Sequence, residues 1–455
     1  MSLGTNLIEA YRAEGIRRVK VVFTDVDGVM RGKYLSLEKF ASVAEGVSGF
    51  CDCVLGWDVN DQLYDNASFT GWHTAFPDAL YRLDLLTERR LHEEGGIPLF
   101  LAEFVEGGES HPICPRSRLK SVLSRAEGLG FAARMAFEYE FFIFKETSES
   151  AAGKGYQNLV PLTPGNFGYS ALRTFALSDL FNEFMDYCED HGIALEGVHC
   201  ETGPGVWEAA IAVDSALEAA DKAALFKTLT KAFFQKRGMI ATFMAKWSMD
   251  YPGQSGHVHQ SLQSSSSGAS VFFEPNDPLG MSSVMKSYVA GVQAYLPDVL
   301  AAVAPTINSY SRLVKGAWAP TASTWGVENR TCALRVIRGS AQSQRMEFRV
   351  GSADANPYLT AAATLGAGLL GIEQQLSLAA PIEGNAYDLQ DALDPKDQFS
   401  TNLLDATRLF ETSNAVEDIF GAAFQAHFSS SRYWEVKEYE RHLNDWQLSR
   451  YFEII

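Results

Sequence analysis

Apolar and polar positions alternate most sharply at the start of Phe137-Glu138-Tyr139-Glu140-Phe141-Phe142-Ile143-Phe144, where a period of two sends Phe137, Tyr139 and Phe141 to one face and Glu138 and Glu140 to the other. That pattern predicts a strand through a core. Near the N-terminus, residues 1–15 read as an amphipathic helix, Val19 to Phe23 as a strand, and Gly28 to Lys33 as a turn before an extended stretch from Tyr34 to Leu37, together a hairpin. Pro98 to Phe104 is a further strand. Asp214 is placed to cap a helix carrying Leu217, Ala220, Leu225, Leu229 and Ala232 and ending at Gly238, and Ser264 to Gly268 is a polar loop. Glu106-Gly107-Gly108-Glu109, followed by Pro112 and Pro115, interrupts the pattern. The expectation is an α+β protein with a small sheet-rich domain over residues 1–110 and a large catalytic domain over residues 111–455.

Composition narrows the class. Of 455 residues, 46% are hydrophobic and 21% charged, the balance of a folded globular protein. The net charge of -18 would repel a nucleic-acid backbone, so no nucleic-acid partner is expected. No run of about 18 apolar residues occurs and the first residues lack a basic leader with an apolar core, so the expectation is a cytoplasmic protein without a membrane partner. Six cysteines are too dilute for a disulfide framework; Cys51 and Cys53 have no second pair at zinc-site spacing and read as buried thiols without redox chemistry.

Four polar constellations carry the candidate chemistry. Two like charges on one strand face, Glu138 and Glu140, repel unless a hard divalent cation such as magnesium or manganese lies between them. Glu201 and Glu208 flank the tight turn Gly203-Pro204-Gly205, which can fold both carboxylates onto one ion. In Gly253-Gln254-Ser255-Gly256-His257-Val258-His259-Gln260-Ser261-Leu262, a glycine-rich turn runs into a strand presenting His257 and His259 to one side, for metal or phosphate. Arg312, Arg330 and Arg335 precede Arg345-Met346-Glu347-Phe348-Arg349, where arginines around a glutamate suit phosphoryl chemistry. Phe23-Thr24-Asp25-Val26-Asp27-Gly28 also resembles the nucleophile motif of haloacid-dehalogenase-type phosphatases, but turn and strand follow it where a cap or helix would be needed.

In order and spacing, these four segments resemble the glutamine synthetase family over essentially the whole chain. The resemblance rests on Glu-x-Glu, Gly-His-x-His-Gln-Ser-Leu, Asn329-Arg330, and Glu-Phe-Arg followed by Asn356-Pro357-Tyr358. It implies a beta-grasp N-terminal domain, a funnel-shaped site, and homo-oligomeric rings, commonly dodecamers, with sites at subunit interfaces. It implies ATP and L-glutamate as ligands and two divalent ions, one on Glu140, Glu201 and Glu208 and one on Glu138, His257 and Glu347. Arg312, Arg330 and Arg349 match arginines that hold glutamate and its acyl phosphate, and Arg335 and Arg345 match those at the nucleotide phosphates. Glu196, His259 and Ser261 match positions around ATP, and Gly253 matches the glycine at the amino-acid end of the substrate.

Two departures concern the amine. Trp318 stands where ammonia-using members carry a proton-accepting glutamate, and an indole offers apolar area and a ring face instead of a carboxylate. Pro252 replaces the family's asparagine, and Val206 and Trp207 stand where ammonia-using members often carry Gln and a polar or aromatic residue. The implied reaction joins the glutamate side-chain carboxyl to an organic amine, alkyl, polyamine or aromatic. Ammonia-using glutamine synthesis and a non-catalytic ring-forming protein are the alternatives; the retained acidic set argues against the latter.

Overall fold

The computed structural model describes residues 2–454. The small sheet is built from α1 (Leu3–Ala13), β1 (Arg18–Thr24), β2 (Met30–Ser36), α2 (Leu37–Val43), β3 (Ser48–Cys51), β4 (Asp78–Leu91), β5 (Ile97–Glu106) and β6 (Glu109–Ser110). Its strand order is β2-β1-β5-β4-β3, with β6 on β5. β1 and β5 run parallel while the β1–β2 hairpin and the β4–β5 pair are antiparallel, a grasp-like sheet.

The remainder runs α3 (Pro115–Gly128), β7 (Phe131–Phe144), α4 (Ser148–Gly153), α5 (Ala171–Ala176), α6 (Ser178–Asp190), β8 (Leu195–Cys200), β9 (Val206–Ile211), β10 (Asp214–Ser215), α7 (Ala216–Gln235), β11 (Ile240–Thr242) and β12 (Gly256–Ser264). After these come α8 (Ser283–Val303), α9 (Ile307–Arg312), β13 (Trp325–Val327), β14 (Leu334–Ile337), β15 (Arg345–Phe348), α10 (Pro357–Glu373), α11 (Ala386–Leu389), α12 (Leu403–Thr412), α13 (Asn414–Phe420), α14 (Ala422–Glu440) and α15 (Asp445–Tyr451). The large sheet has the order β13-β14-β15-β12-β7-β9-β8, with β10 and β11 also pairing with β7.

The alternation in β7 fixes which way this sheet faces. Phe137, Tyr139 and Phe141 are buried, Tyr139 and Phe141 against Phe226 of α7 and Phe243, and Phe137 stacked on Tyr139. Each such ring removes about 150–250 Å² from water, worth on the order of 4–6 kcal/mol at about 25 cal/mol per Å², an upper bound. A one-residue slip of register would expose all three rings and bury two carboxylates. Glu138 and Glu140 are therefore held on the opposite, open face.

The two sheets meet through polar contacts. Arg116 of α3 bonds Asp84 and Glu103 of the small sheet and Asp221 of α7. Asn356 donates to the carbonyls of Asp25 and Val26 at 3.1 and 3.2 Å.

Two local expectations, the hairpin's bounds and the capping role of Asp214, are corrected. β2 begins at Met30, because the Asp25 carboxylate accepts from the Val29 amide at 2.8 Å and closes a shorter turn; Leu37 opens α2, capped by Ser36. Asp25 is buried and also takes Arg31 at 2.9 Å, while Asp27 is ion-paired with Arg432, so neither is an open phosphatase nucleophile. Asp214 does not cap α7: it lies in β10 and binds Lys222, nearly two turns inside the helix, at 2.6 Å. Among the described residues no helix is long and apolar enough to cross a membrane.

Candidate active site

The open face of β12, β7 and β9 gathers the predicted acidic and imidazole side chains. In register, His257 lies opposite Glu138, Glu140 opposite Glu208, and His199 opposite Glu208, so neighbouring strands stack these groups across one face. Glu347 joins from β15, opposite His259. Gly205, at φ +73°, closes the turn between Glu201 and Glu208; a Cβ there would stand 2.6 Å from the Ile143 carbonyl oxygen, so the turn requires glycine.

Three groups of side chains bring ligand atoms within 4.8 Å of one another: Glu138, Glu208 and His257; Glu138, His259 and Glu347; and His199, Glu201 and Glu208. His257 Nδ1 stands 3.6 Å from both Glu138 and Glu347, and its buried Nε2 has no protein partner. His259 Nε2 lies 3.0 Å from Glu138, and His199 Nε2 lies 3.0 Å from Glu201 and 3.7 Å from Glu208. Glu140 belongs to none of the three groups; its Oε2 accepts from the Ser255 amide at 2.6 Å, which ties the glycine-rich turn to β7.

The electrostatics separate the carboxylates. Burial, reinforced by the charges of Glu140, Glu138, Glu201 and Glu347, pushes the Glu208 carboxyl up to about 9. Burial would also raise Glu138, but the imidazoles of His257 and His259 beside it outweigh that and hold the carboxyl well below the usual range. Glu347 is drawn down to about 2 against its burial by His257, Arg349 and His259. Crowded carboxylates, one of them raised by its neighbours, beside a buried imidazole nitrogen without a partner form a hard donor set that a divalent cation fits.

The arginines divide into two sorts. Arg335 reaches Glu347 at 2.9 Å and also Glu328, Arg349 pairs with Glu347 and donates to the Arg330 carbonyl, and Arg345 donates to His259 Nδ1 at 3.1 Å. Arg330 is exposed on the turn before β14. Arg312 is fully buried, with its two Nη atoms on the carbonyls of Val350 and Arg349 and on Ser255 Oγ. Burial lowers it to about 10 although Glu140 opposes the shift.

Ser261 lies on β12 at the same period as His257 and His259. Glu196 lies on β8 at an irregularity of its pairing with β9, exposed and outside the three groups. Trp318 is 63% exposed, on the loop after α9, at φ +59°.

Two residues were not among the candidates. His199, two before Glu201, repeats the His257/His259 spacing and was in that sense visible. Tyr169 was not: its ring stacks on His199 at 4.5 Å from a loop whose backbone, at φ +56°, no sequence pattern announced.

Comparison with known proteins follows this geometry. The family model of the glutamine synthetase catalytic domain matches residues 112–451. The chain is 44% identical to Type-1 glutamine synthetase 2 of Dictyostelium discoideum, over 96% of this chain and 84% of that protein. It is 36% identical to a glutamate–isopropylamine ligase of Pseudomonas sp, over 99% of this chain and 97% of that protein. A solved structure of GmaS in complex with ADP superposes with a TM-score of 0.85 at 28% identity, covering 98% of this chain and 99% of the other.

Proposed function

The chain belongs to the glutamine synthetase family, and we propose that it is an ATP-dependent ligase that joins the side-chain carboxyl of L-glutamate to an organic amine. The observation that carries the ligase reading is the convergence of Glu138, Glu201, Glu208, His257 and Glu347 on one open sheet face with arginines along its edge. The organic amine is supported by Trp318 in place of a carboxylate and by the isopropylamine ligase among the relatives.

A carboxylate at neutral pH is a poor acyl donor. Its oxygen attacks the γ-phosphorus of ATP, the bond to the β-bridging oxygen breaks, and ADP leaves with that electron pair. An uncharged amine then attacks the acyl carbon, phosphate departs, and the nitrogen loses a proton.

Magnesium or manganese held by Glu138, His257 and Glu347 and by Glu140, Glu201 and Glu208 would supply charge neutralisation at the phosphoryl oxygens. The remaining work falls to the chain itself. Arg330, Arg335, Arg345 and Arg349 face anions, and the ion pairs of Arg335 and Arg349 with Glu347 hold their forks in place before substrate arrives. In our reading Arg312 is a positioning residue, fixing Ser255 and the Arg349–Val350 backbone from beneath. Glu196, His259 and Ser261 are assigned to the nucleotide, Trp318 to the amine, and residues 1–110 and 111–455 to separate domains. Ring assembly with shared sites is part of the same proposal, checked by native mass spectrometry.

A second reading, glutamine synthesis from ammonia, is favoured by the Dictyostelium relative's name. An ADP-release assay with glutamate, Mg-ATP and ammonia, ethylamine, isopropylamine, putrescine, spermidine or aniline separates the two. We expect the highest kcat/KM for an organic amine; highest activity with ammonia would replace this proposal with the second reading.

A further inference from the structure

Cys51 and Cys53 do not lie in the interior as inert thiols. Both are half-buried, and their Sγ atoms stand 3.1 Å apart at the point where β3 gives way to a single tight turn over Asp52–Leu55. A disulfide bond is about 2.05 Å long, so an approach of about 1 Å would join them.

Their position gives the bond a consequence. The Asp52 amide donates to the Pro77 carbonyl at 3.0 Å, and Cys51 Sγ lies 3.9 Å from the Phe76 carbonyl oxygen. The two sulfurs therefore sit at the neck of the 52–77 segment, where both of its ends meet. At the return end Ala75 and Phe76 adopt φ +58° and +52°, conformations that L side chains rarely hold.

Beyond the neck, the segment is seated on α14. His427 Nε2 contacts the Leu55 carbonyl at 2.6 Å, Trp434 donates to Asp58 at 2.9 Å, Asn66 donates to the Ser430 carbonyl at 2.8 Å, and Asp65 pairs with Lys437. These contacts start two residues after Cys53. Any change in backbone direction at the neck is transmitted to them directly.

We propose that Cys51 and Cys53 form a redox-responsive dithiol, closed by a small-molecule disulfide such as oxidised glutathione, that governs how the 52–77 segment seats on α14. One of the two cysteines, as thiolate, attacks one sulfur of the external disulfide and releases one thiolate; the other then attacks the protein-side sulfur of the mixed disulfide and releases the second. Two protein thiols are oxidised, one external disulfide is reduced to two thiols, and the protons of Cys51 and Cys53 pass to the released thiolates. Burial and the adjacent sulfur push the Cys53 thiol up to about 12.

Trypsin releases residues 40–82 as one peptide containing these two cysteines and no others. The full chain is equilibrated with oxidised glutathione, alkylated, digested and weighed, and hydrogen exchange is recorded in parallel. We expect the peptide to lose two hydrogens and resist alkylation, and exchange over residues 54–66 to rise about tenfold and return with dithiothreitol. The Cys53→Ser and Cys53→Ala proteins should keep their exchange rates under the same oxidant. Two free or two glutathione-capped cysteines in the wild type would overturn the disulfide, and a disulfide with unchanged exchange would overturn its coupling to α14.

Discussion

Gly253→Ala isolates the packing beneath the part of the site that we assign to glutamate. A Cβ at this position would stand 2.6 Å from the Ala245 carbonyl oxygen and 2.6 Å from Arg312 Cγ. The first contact is backbone, and Arg312 is fully buried with both Nη atoms engaged, so neither neighbour can yield without displacing something else. Relief must come from the turn itself, whose Gln254 amide is on Ala245 at 2.7 Å and whose Ser255 amide is on Glu140 at 2.6 Å. Overpacking of this kind costs about 1–3 kcal/mol. A shift of several tenths of an ångström in Ser255 also moves Glu140, and misplacement near 1 Å costs about a hundredfold in rate. The expected outcome is a 10- to 100-fold fall (order of magnitude) in kcat/KM for glutamate with ATP affinity changed less than about threefold, read by ADP release and calorimetry. Unchanged kcat/KM for glutamate in the folded variant would refute the reasoning, and an equal loss in ATP affinity would show that the turn serves the nucleotide.

Further expectations follow from the same geometry. Arg349→Lys should lower glutamate-dependent turnover by about a hundredfold at saturating ATP, because one ammonium cannot hold Glu347 and the Arg330 carbonyl as a rigid fork does; normal turnover with collapsed ATP affinity would reverse the assignment. Manganese binding at neutral pH should release protons, since the raised Glu208 must ionise to become a ligand, and Glu208→Gln should abolish that release in calorimetry run in buffers of different ionisation enthalpy. Burial lowers His427 from 6.5 to about 4, so its contribution to stability is complete above pH 6.5 and is lost as pH falls toward 4. That contribution is on the order of 3 kcal/mol, and His427→Gln should flatten the wild-type decline in Tm over this window; an unaltered slope would count against it.

The parts of the fold legible in the sequence are those where a local pattern and the tertiary demand agree. Phe137, Tyr139 and Phe141 alternate with Glu138 and Glu140, and burying the rings leaves the carboxylates one place to go. Gly203-Pro204-Gly205 announced a turn whose geometry tolerates no side chain at Gly205. Interactions between distant segments were not legible. Asp214 has the chemistry of a helix cap, but strand pairing with Met135 and the ammonium of Lys222 claim it first. Arg312 resembles a substrate-facing guanidinium, yet the carbonyls of Arg349 and Val350 lie where only the folded chain brings them. Likewise nothing in the spacing of Cys51 and Cys53 reveals that their sulfurs meet at the neck of a loop, because that depends on the chain turning sharply after β3.

The central claim, that this ligase condenses glutamate with an organic amine, is tested most directly by competition. Purified protein is given glutamate, Mg-ATP and an equimolar mixture of ammonia, ethylamine, isopropylamine, putrescine and aniline, and the products are quantified by mass spectrometry in the wild type and in Trp318→Glu. The account predicts that one γ-glutamyl amide dominates the wild-type products and that the substitution shifts the mixture toward glutamine. Glutamine as the main wild-type product would contradict it.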